Sequence, residues 1–190
     1  MTLKSPKSST LSDLLEKLAR AFQAEKIPYM LIGGQAVLAY GEPRLTRDID
    51  VTIGLAPEGL PRILKLLKKL ELSPLPKDPR KFVEKTMVLP AGHAQTGARV
   101  DIIFSISPYE SQALKRARKI QVHTHKVCFA AAEDVIIHKI VAGRPRDLED
   151  AQGILLKQKK MDLKYIRSWL GRFDQALSSR YLDLFDSLIK

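Results

Sequence analysis

Apolar residues recur along this chain with two different periods, and each change of period marks an element boundary. Leu11, Leu14, Leu15, Leu18 and Phe22 follow helical spacing behind Thr10, with Asp13 placed to complete a capping box. A first amphipathic helix over residues 10–25 is therefore expected. The unbroken apolar run Tyr29-Met30-Leu31-Ile32 reads as a strand that Gly33-Gly34 ends, and Gln35–Tyr40 as a short helix behind the glycines. From Asp48 to Ile53 polar and apolar positions alternate, the period of a second strand. Helical spacing returns over Pro57–Leu70, with Leu60, Ile63, Leu64 and Leu67 on one face and lysines opposite.

Ser73–Pro79 holds three prolines in seven residues and is expected to be a loop. Thr86–Leu89 and Ala98–Phe104 read as antiparallel strands, and Tyr109–Ala117 as a helix. Two short β-rich runs follow, Ile120–Val122 and Lys126–Phe129. From Ala132 onward the pattern is helical, with breaks near 143–145, 161–162 and Gly171. Leu177, Tyr181, Leu184, Phe185 and Leu188 form an apolar packing stripe on the last helix. The expected fold is α/β, with a mixed-sheet core in residues 1–130 and a helical C-terminal region, 131–190, packed on it.

Composition narrows the setting. The chain has 190 residues, 45% of them hydrophobic, enough for a sizeable interior. No apolar stretch is long enough to span a bilayer, and the N-terminal segment lacks the apolar centre of a signal peptide. The lone Cys128 cannot form an internal disulfide and reads as a small core residue, so a cytoplasmic setting is expected. Lysine and arginine total 32 against 21 acids, a net charge of +11, which favours an anionic partner such as nucleic acid. The cations gather in clusters, among them Lys65-Lys68-Lys69, Lys77-Arg80-Lys81-Lys85 and Lys115-Arg116-Arg118-Lys119. His93, His123, His125 and His138 have no zinc spacing, and no serine or cysteine sits in a nucleophile elbow.

The chemistry concentrates around Asp48 and Asp50. Two residues apart on a strand, their carboxylates share one face while Ile49 and Val51 turn to the core. Side by side they repel. A divalent cation resolves the conflict, and hard oxygen ligands suit Mg²⁺ carrying substrate phosphates. Upstream, the strand–Gly33-Gly34–helix turn presents backbone N–H groups where phosphate oxygens can dock. Asp101 is an acid inside the apolar run Val100-Asp101-Ile102-Ile103, where an ionised group needs a partner or a cation. Lys139 stands in the apolar helical stretch Val135–Val141 and must likewise reach water or an anion. Asp147 can be read as the cap of the helix after Gly143.

The stretch Leu31–Ile53 resembles the nucleotidyltransferase superfamily that includes DNA polymerase β, in particular its AbiEii-type toxin branch and related bacterial and archaeal nucleotidyltransferases. The likeness extends through Arg99–Phe104 and through Lys139-Ile140-Val141-Ala142-Gly143-Arg144-Pro145-Arg146-Asp147, covering residues 27–155. It implies a nucleotidyltransferase core in which Asp48, Asp50 and Asp101 are catalytic and bind Mg²⁺ or Mn²⁺, with Asp101 as base near the attacking hydroxyl. Gly33, Gly34, Arg44, Thr46, Arg47, Lys139, Arg144 and Asp147 would then contact the nucleotide. Many superfamily members have Gly-Ser where this chain has Gly33-Gly34, so its phosphate contacts are expected to rest on backbone N–H groups and cations.

The resemblance implies transfer of a nucleoside monophosphate from an NTP, such as ATP or GTP, to a hydroxyl. Together with the charge it favours RNA, such as tRNA, as acceptor, and the toxin branch implies a cognate antitoxin. Two alternatives stay open: a small-molecule, antibiotic-type nucleotidyltransferase, and a non-enzymatic nucleotide- or RNA-binding relative.

Overall fold

A computed structural model describes residues 10–43 and 45–189. Among the described residues, seven strands form one mixed sheet: β1 (Tyr29–Ile32), β2 (Asp48–Ile53), β3 (Leu72–Pro74), β4 (Val88–His93), β5 (Arg99–Phe104), β6 (Arg118–Val122) and β7 (His125–Phe129). Their order is β3-β4-β5-β2-β1-β7-β6. β2 runs antiparallel to β1 and parallel to β5, while β7 runs parallel to β1 on the other side. The alternation read in the second strand is realised, since Ile49, Val51 and Ile53 are fully buried whereas Asp48 is exposed.

The helices are α1 (Leu11–Ala24), α2 (Gly33–Tyr40), α3 (Leu60–Lys69), α4 (Pro79–Thr86), α5 (Pro108–Arg116), α6 (Ala132–Ala142), α7 (Pro145–Lys157), α8 (Leu163–Leu177) and α9 (Tyr181–Leu188). α1 starts on the expected capping box of Thr10 and Asp13 and packs its buried leucines and Phe22 against β6 and β7. α2 begins two residues earlier than its sequence pattern suggests, at the glycines themselves, and packs against β1, β2 and α6.

Five expectations are corrected. The proline-rich segment 73–79 is not all loop: Leu72–Pro74 pairs with β4 as an edge strand. Helix α4 then follows, begun by the Asp78 cap and Pro79. Thr86 accordingly closes α4 instead of opening a strand. Gly171 does not break α8. The glycine costs about 1 kcal/mol relative to alanine, and burial of Ile166, Trp169 and Leu170 on the same helix outweighs it. The break falls at Ser178, in left-handed conformation, so Leu177 belongs to α8, is 55% exposed and lies outside the packing stripe of Phe185. Cys128 is half-buried, at the margin of the core.

A polar clamp ties two C-terminal helices, α6 and α8, to α5. Asp134, at the start of α6, accepts from Tyr165 Oη of α8 at 2.7 Å and from Arg116 Nε of α5 at 3.2 Å. The Arg116 guanidinium also lies over the Tyr165 ring, 3.8 Å from its centre. Burial raises the Asp134 carboxyl above its usual range, while the Tyr165 and Arg116 contacts act against that rise. Among the described residues, no helix is long and apolar enough to cross a membrane.

Candidate active site

The parallel pairing of β2 with β5 sets Asp48 beside Arg99 and Asp50 beside Asp101. Neighbouring strands lie about 4.8 Å apart and paired residues share a face, so three acids and one arginine project together. The acids sense one another. The Asp50 carboxyl is raised above its ordinary range, first by burial and then by the negative charges of Asp101 and Asp48, with Lys139 and Arg99 acting in the opposite direction.

Gly33 holds the turn against this acid. Its φ is +61°, and a Cβ built on it would stand 2.0 Å from Asp50 Oδ2. Only glycine satisfies both the left-handed backbone and that approach. Ile32 pairs with Asp50 across β1 and β2, so the first turn of α2 starts directly beside the acid. Gly34 is buried in that turn. Gln35, also buried, donates from Nε2 to the Asp48 carbonyl at 3.4 Å, tying α2 to the start of β2.

Asp101 has a partner already. Arg99 Nε lies 2.8 Å from Asp101 Oδ1, and no set of three His, Cys, Asp or Glu side chains among the described residues is arranged to hold a metal ion. The chemistry of the donor set nevertheless fits a divalent cation. Hard carboxylate oxygens project on one face from two paired strands, and the negative charges that add to burial in raising Asp50 are what a cation offsets. Arg99 occupies that charge position on the Asp101 side.

The expected nucleotide contacts fall into two groups. Thr46 and the exposed Arg47 lie in the connection before β2, where Thr46 Oγ1 donates to the Asp48 carbonyl at 3.5 Å. Arg44 lies outside the described residues. Lys139, Arg144 and Asp147 form a separate cluster where α6 meets α7. Lys139 Nζ is 2.7 Å from Asp147 Oδ1 and 2.9 Å from Asp150 Oδ2, and Arg144 Nε is 2.5 Å from Asp147 Oδ2. The anion that the Lys139 ammonium needs is found within the protein: α7 supplies two carboxylates one helical turn apart.

Asp147 is not the helix cap, a position that Arg144 holds; it sits in the first turn of α7 and is buried. Burial alone would raise its carboxyl, but hydrogen bonds from Arg144 and Lys139 win and hold it below the usual range. The cluster lies within electrostatic reach of the acids, since Lys139 lowers the Asp50 carboxyl and Asp50 raises the Arg144 guanidinium.

Sequence reasoning assigned no role to Arg99 or Asp150. Arg99 shared a strand face with Asp101 in plain view, two residues away. Asp150 follows Asp147 by three residues on a helix, a spacing that places both on one face.

Solved structures share this architecture. The solution structure of the antibiotic-resistance factor ANT(2'')-Ia matches with a TM-score of 0.63 and 14% identity, over 90% of this chain and 95% of that one. An antigenic nucleotidyltransferase-like protein from Paracoccidioides brasiliensis matches with a TM-score of 0.61 and 16% identity, over 97% and 94%. The lincomycin-bound lincosamide antibiotic adenylyltransferase LnuA matches with a TM-score of 0.56 and 14% identity, over 80% and 100%. At these identities the likeness is one of fold. No curated protein matches the sequence significantly. The model of the family described as "Nucleotidyltransferase of unknown function (DUF6036)" matches residues 9–181. The chain thus belongs to this nucleotidyltransferase family, and its mixed α/β sheet matches the fold of the solved nucleotidyltransferase ANT(2'')-Ia.

Proposed function

We propose that this nucleotidyltransferase moves a nucleoside monophosphate from an NTP to a hydroxyl on RNA, with tRNA as one candidate, and releases pyrophosphate. The single observation that carries the catalytic part is the projection of Asp48, Asp50 and Asp101 from paired β2 and β5, with Asp50 raised by burial and then by its two neighbours. Asp48, Asp50 and Asp101 would hold Mg²⁺ or Mn²⁺. A bound cation would supply neutralisation of phosphate charge and a lowered pKa for a hydroxyl bound to it. Gly33 and Gly34 bring backbone N–H groups of the first turn of α2 beside Asp50, where anionic oxygens are favoured. Thr46 and Arg47 flank the entry to β2. On the C-terminal side, Lys139 and Arg144 would bring positive charge toward Asp50, with Asp147 holding both in place.

The working division is a catalytic core in residues 1–130 and a helical region, 131–190, that brings this cluster to the core. A cytoplasmic setting suits an enzyme that meets NTP and RNA, and a cognate antitoxin follows only from the resemblance to the toxin branch. RNA is preferred over a small cationic antibiotic because the chain carries a net charge of +11. The antibiotic reading draws its support from neighbours whose names include antibiotic substrates.

Incubation with labelled NTPs, Mg²⁺ and either total RNA or a panel of aminoglycosides and lincosamides separates the two. Label transferred to RNA, and lost in Asp48→Asn with Asp50→Asn, supports the proposal. Transfer to an antibiotic alone overturns the RNA acceptor, and the absence of transfer to either overturns both.

A further inference from the structure

Beyond Asp101 the acid-bearing face of the sheet continues into a trough of about 550 Å³ between β4 and α4. Pro90, paired with Asp101 across β4 and β5, forms part of its wall. Arg99 is common to both places, since it lines the trough and pairs with Asp101. The trough therefore opens directly beside the third acid.

Its chemistry is specific. Lys77, Lys81, Lys85 and Arg99 face it against a single acid, Asp78. Asp78 is engaged at the helix start, where its Oδ1 accepts from the Lys81 backbone N–H at 3.1 Å. Lys81 and Lys85 lie one turn apart on α4, so they share a face. Between the cations lies an apolar surface that the fold leaves uncovered: Phe82 is 38% exposed and Leu75 56%. A row of cations beside an exposed aromatic ring is the combination that holds single-stranded nucleic acid, with phosphates on the lysines and a base on the ring. A cationic small molecule would meet an excess of positive charge, since only Asp78 and the neighbouring Asp101 offset the four cations.

We infer that this trough seats the single-stranded segment of the acceptor RNA that adjoins the reacting hydroxyl, with Lys81 and Lys85 on its phosphates and Phe82 under a base. This rests on the RNA-acceptor reading above and adds a location and a direction across the surface to it. The strand leaves Asp101 across Arg99 and Pro90 toward α4, away from the α6–α7 cluster on the nucleotide side.

Anisotropy of a short fluorescein-labelled oligoribonucleotide, titrated with the full chain over a range of salt, tests the inference. In Lys81→Gln with Lys85→Gln, loss of two phosphate contacts should shrink the slope of log K against log salt by about 1.4. Phe82→Leu keeps an apolar side chain but removes the ring and should weaken binding roughly tenfold. All three side chains are at least partly exposed, so the fold should hold, and the thermal shift with NTP and Mg²⁺ should match the parent. Lys159→Gln with Lys160→Gln, which neutralises exposed lysines outside the trough, serves as control and should change the slope less.

Trough variants that bind RNA with the parent's slope and affinity overturn the inference while leaving RNA as acceptor. So does a control pair with the same effect as the trough pair. A parent protein with no affinity for RNA removes the acceptor reading and the trough's role together.

Discussion

Gly33→Ala probes the closest approach in the site, and Gly97→Ala provides its control. Both glycines have left-handed backbones, with φ of +61° and +65°. Alanine in that region costs about 1–2 kcal/mol. At Gly97 a Cβ would meet nothing within 4 Å, so backbone strain is the whole effect. For a domain of this size that corresponds to a loss of about 2–8 °C in Tm.

At Gly33 the same strain is joined by a contact of 2.0 Å with Asp50 Oδ2. The carboxylate must retreat by about 1 Å, a displacement that can lower a rate roughly a hundredfold. Differential scanning fluorimetry with and without Mg²⁺ and NTP, together with initial rates of labelled transfer, separates the two effects. Gly97→Ala should lose Tm yet keep the ligand-induced shift and the rate. Gly33→Ala should lose more Tm, most of the shift and about two orders of magnitude in rate. If the two variants behave alike in all three measurements, the role given to Gly33 as the seat of Asp50 is wrong.

Two further outcomes follow from buried charge. Lys139→Met leaves Asp147 and Asp150 buried without their shared ammonium and should cost about 3–5 kcal/mol in urea unfolding; a loss under 1 kcal/mol, a surface-like value, would show that the cluster is not a unit. His138 has a buried Nδ1 with no hydrogen-bond partner among the described residues, and burial followed by the charge of Lys139 lowers its pKa to about 4. The unfolded chain takes up a proton near the ordinary 6.5 that the folded chain refuses. Stability is therefore full above that pH and falls as pH drops toward about 4, by at most about 3 kcal/mol. His138→Leu should flatten the slope of stability against pH in that window, and an unchanged slope would assign it to other groups.

The parts of this protein legible in its sequence are those decided over a few neighbouring residues. Alternation across Asp48–Ile53 determines which side chains leave the core, because a strand's period is two whatever it pairs with. The capping box at Thr10 and Asp13 is likewise local. Helix α4 was also local in origin, since Asp78 followed by Pro79 is a helix start. The prolines around it and the weak apolar pattern of Phe82 and Val83 concealed the signal.

What only the tertiary structure decided is which charges meet. Hydrophobic period reports the face a side chain takes, but not the element that comes to lie against it. Asp50 meets Asp101 because β2 and β5, about fifty residues apart, pair in parallel at one particular register. Lys139 finds Asp147 and Asp150 because α7 folds back on α6, and that internal pairing puts the lysine at the centre of a buried cluster. The trough depends on α4 packing against β4, which brings Lys81 and Phe82 to the edge of the acid-bearing face. Such encounters between charges are settled by register and helix crossing, and those exist only once the sheet has assembled.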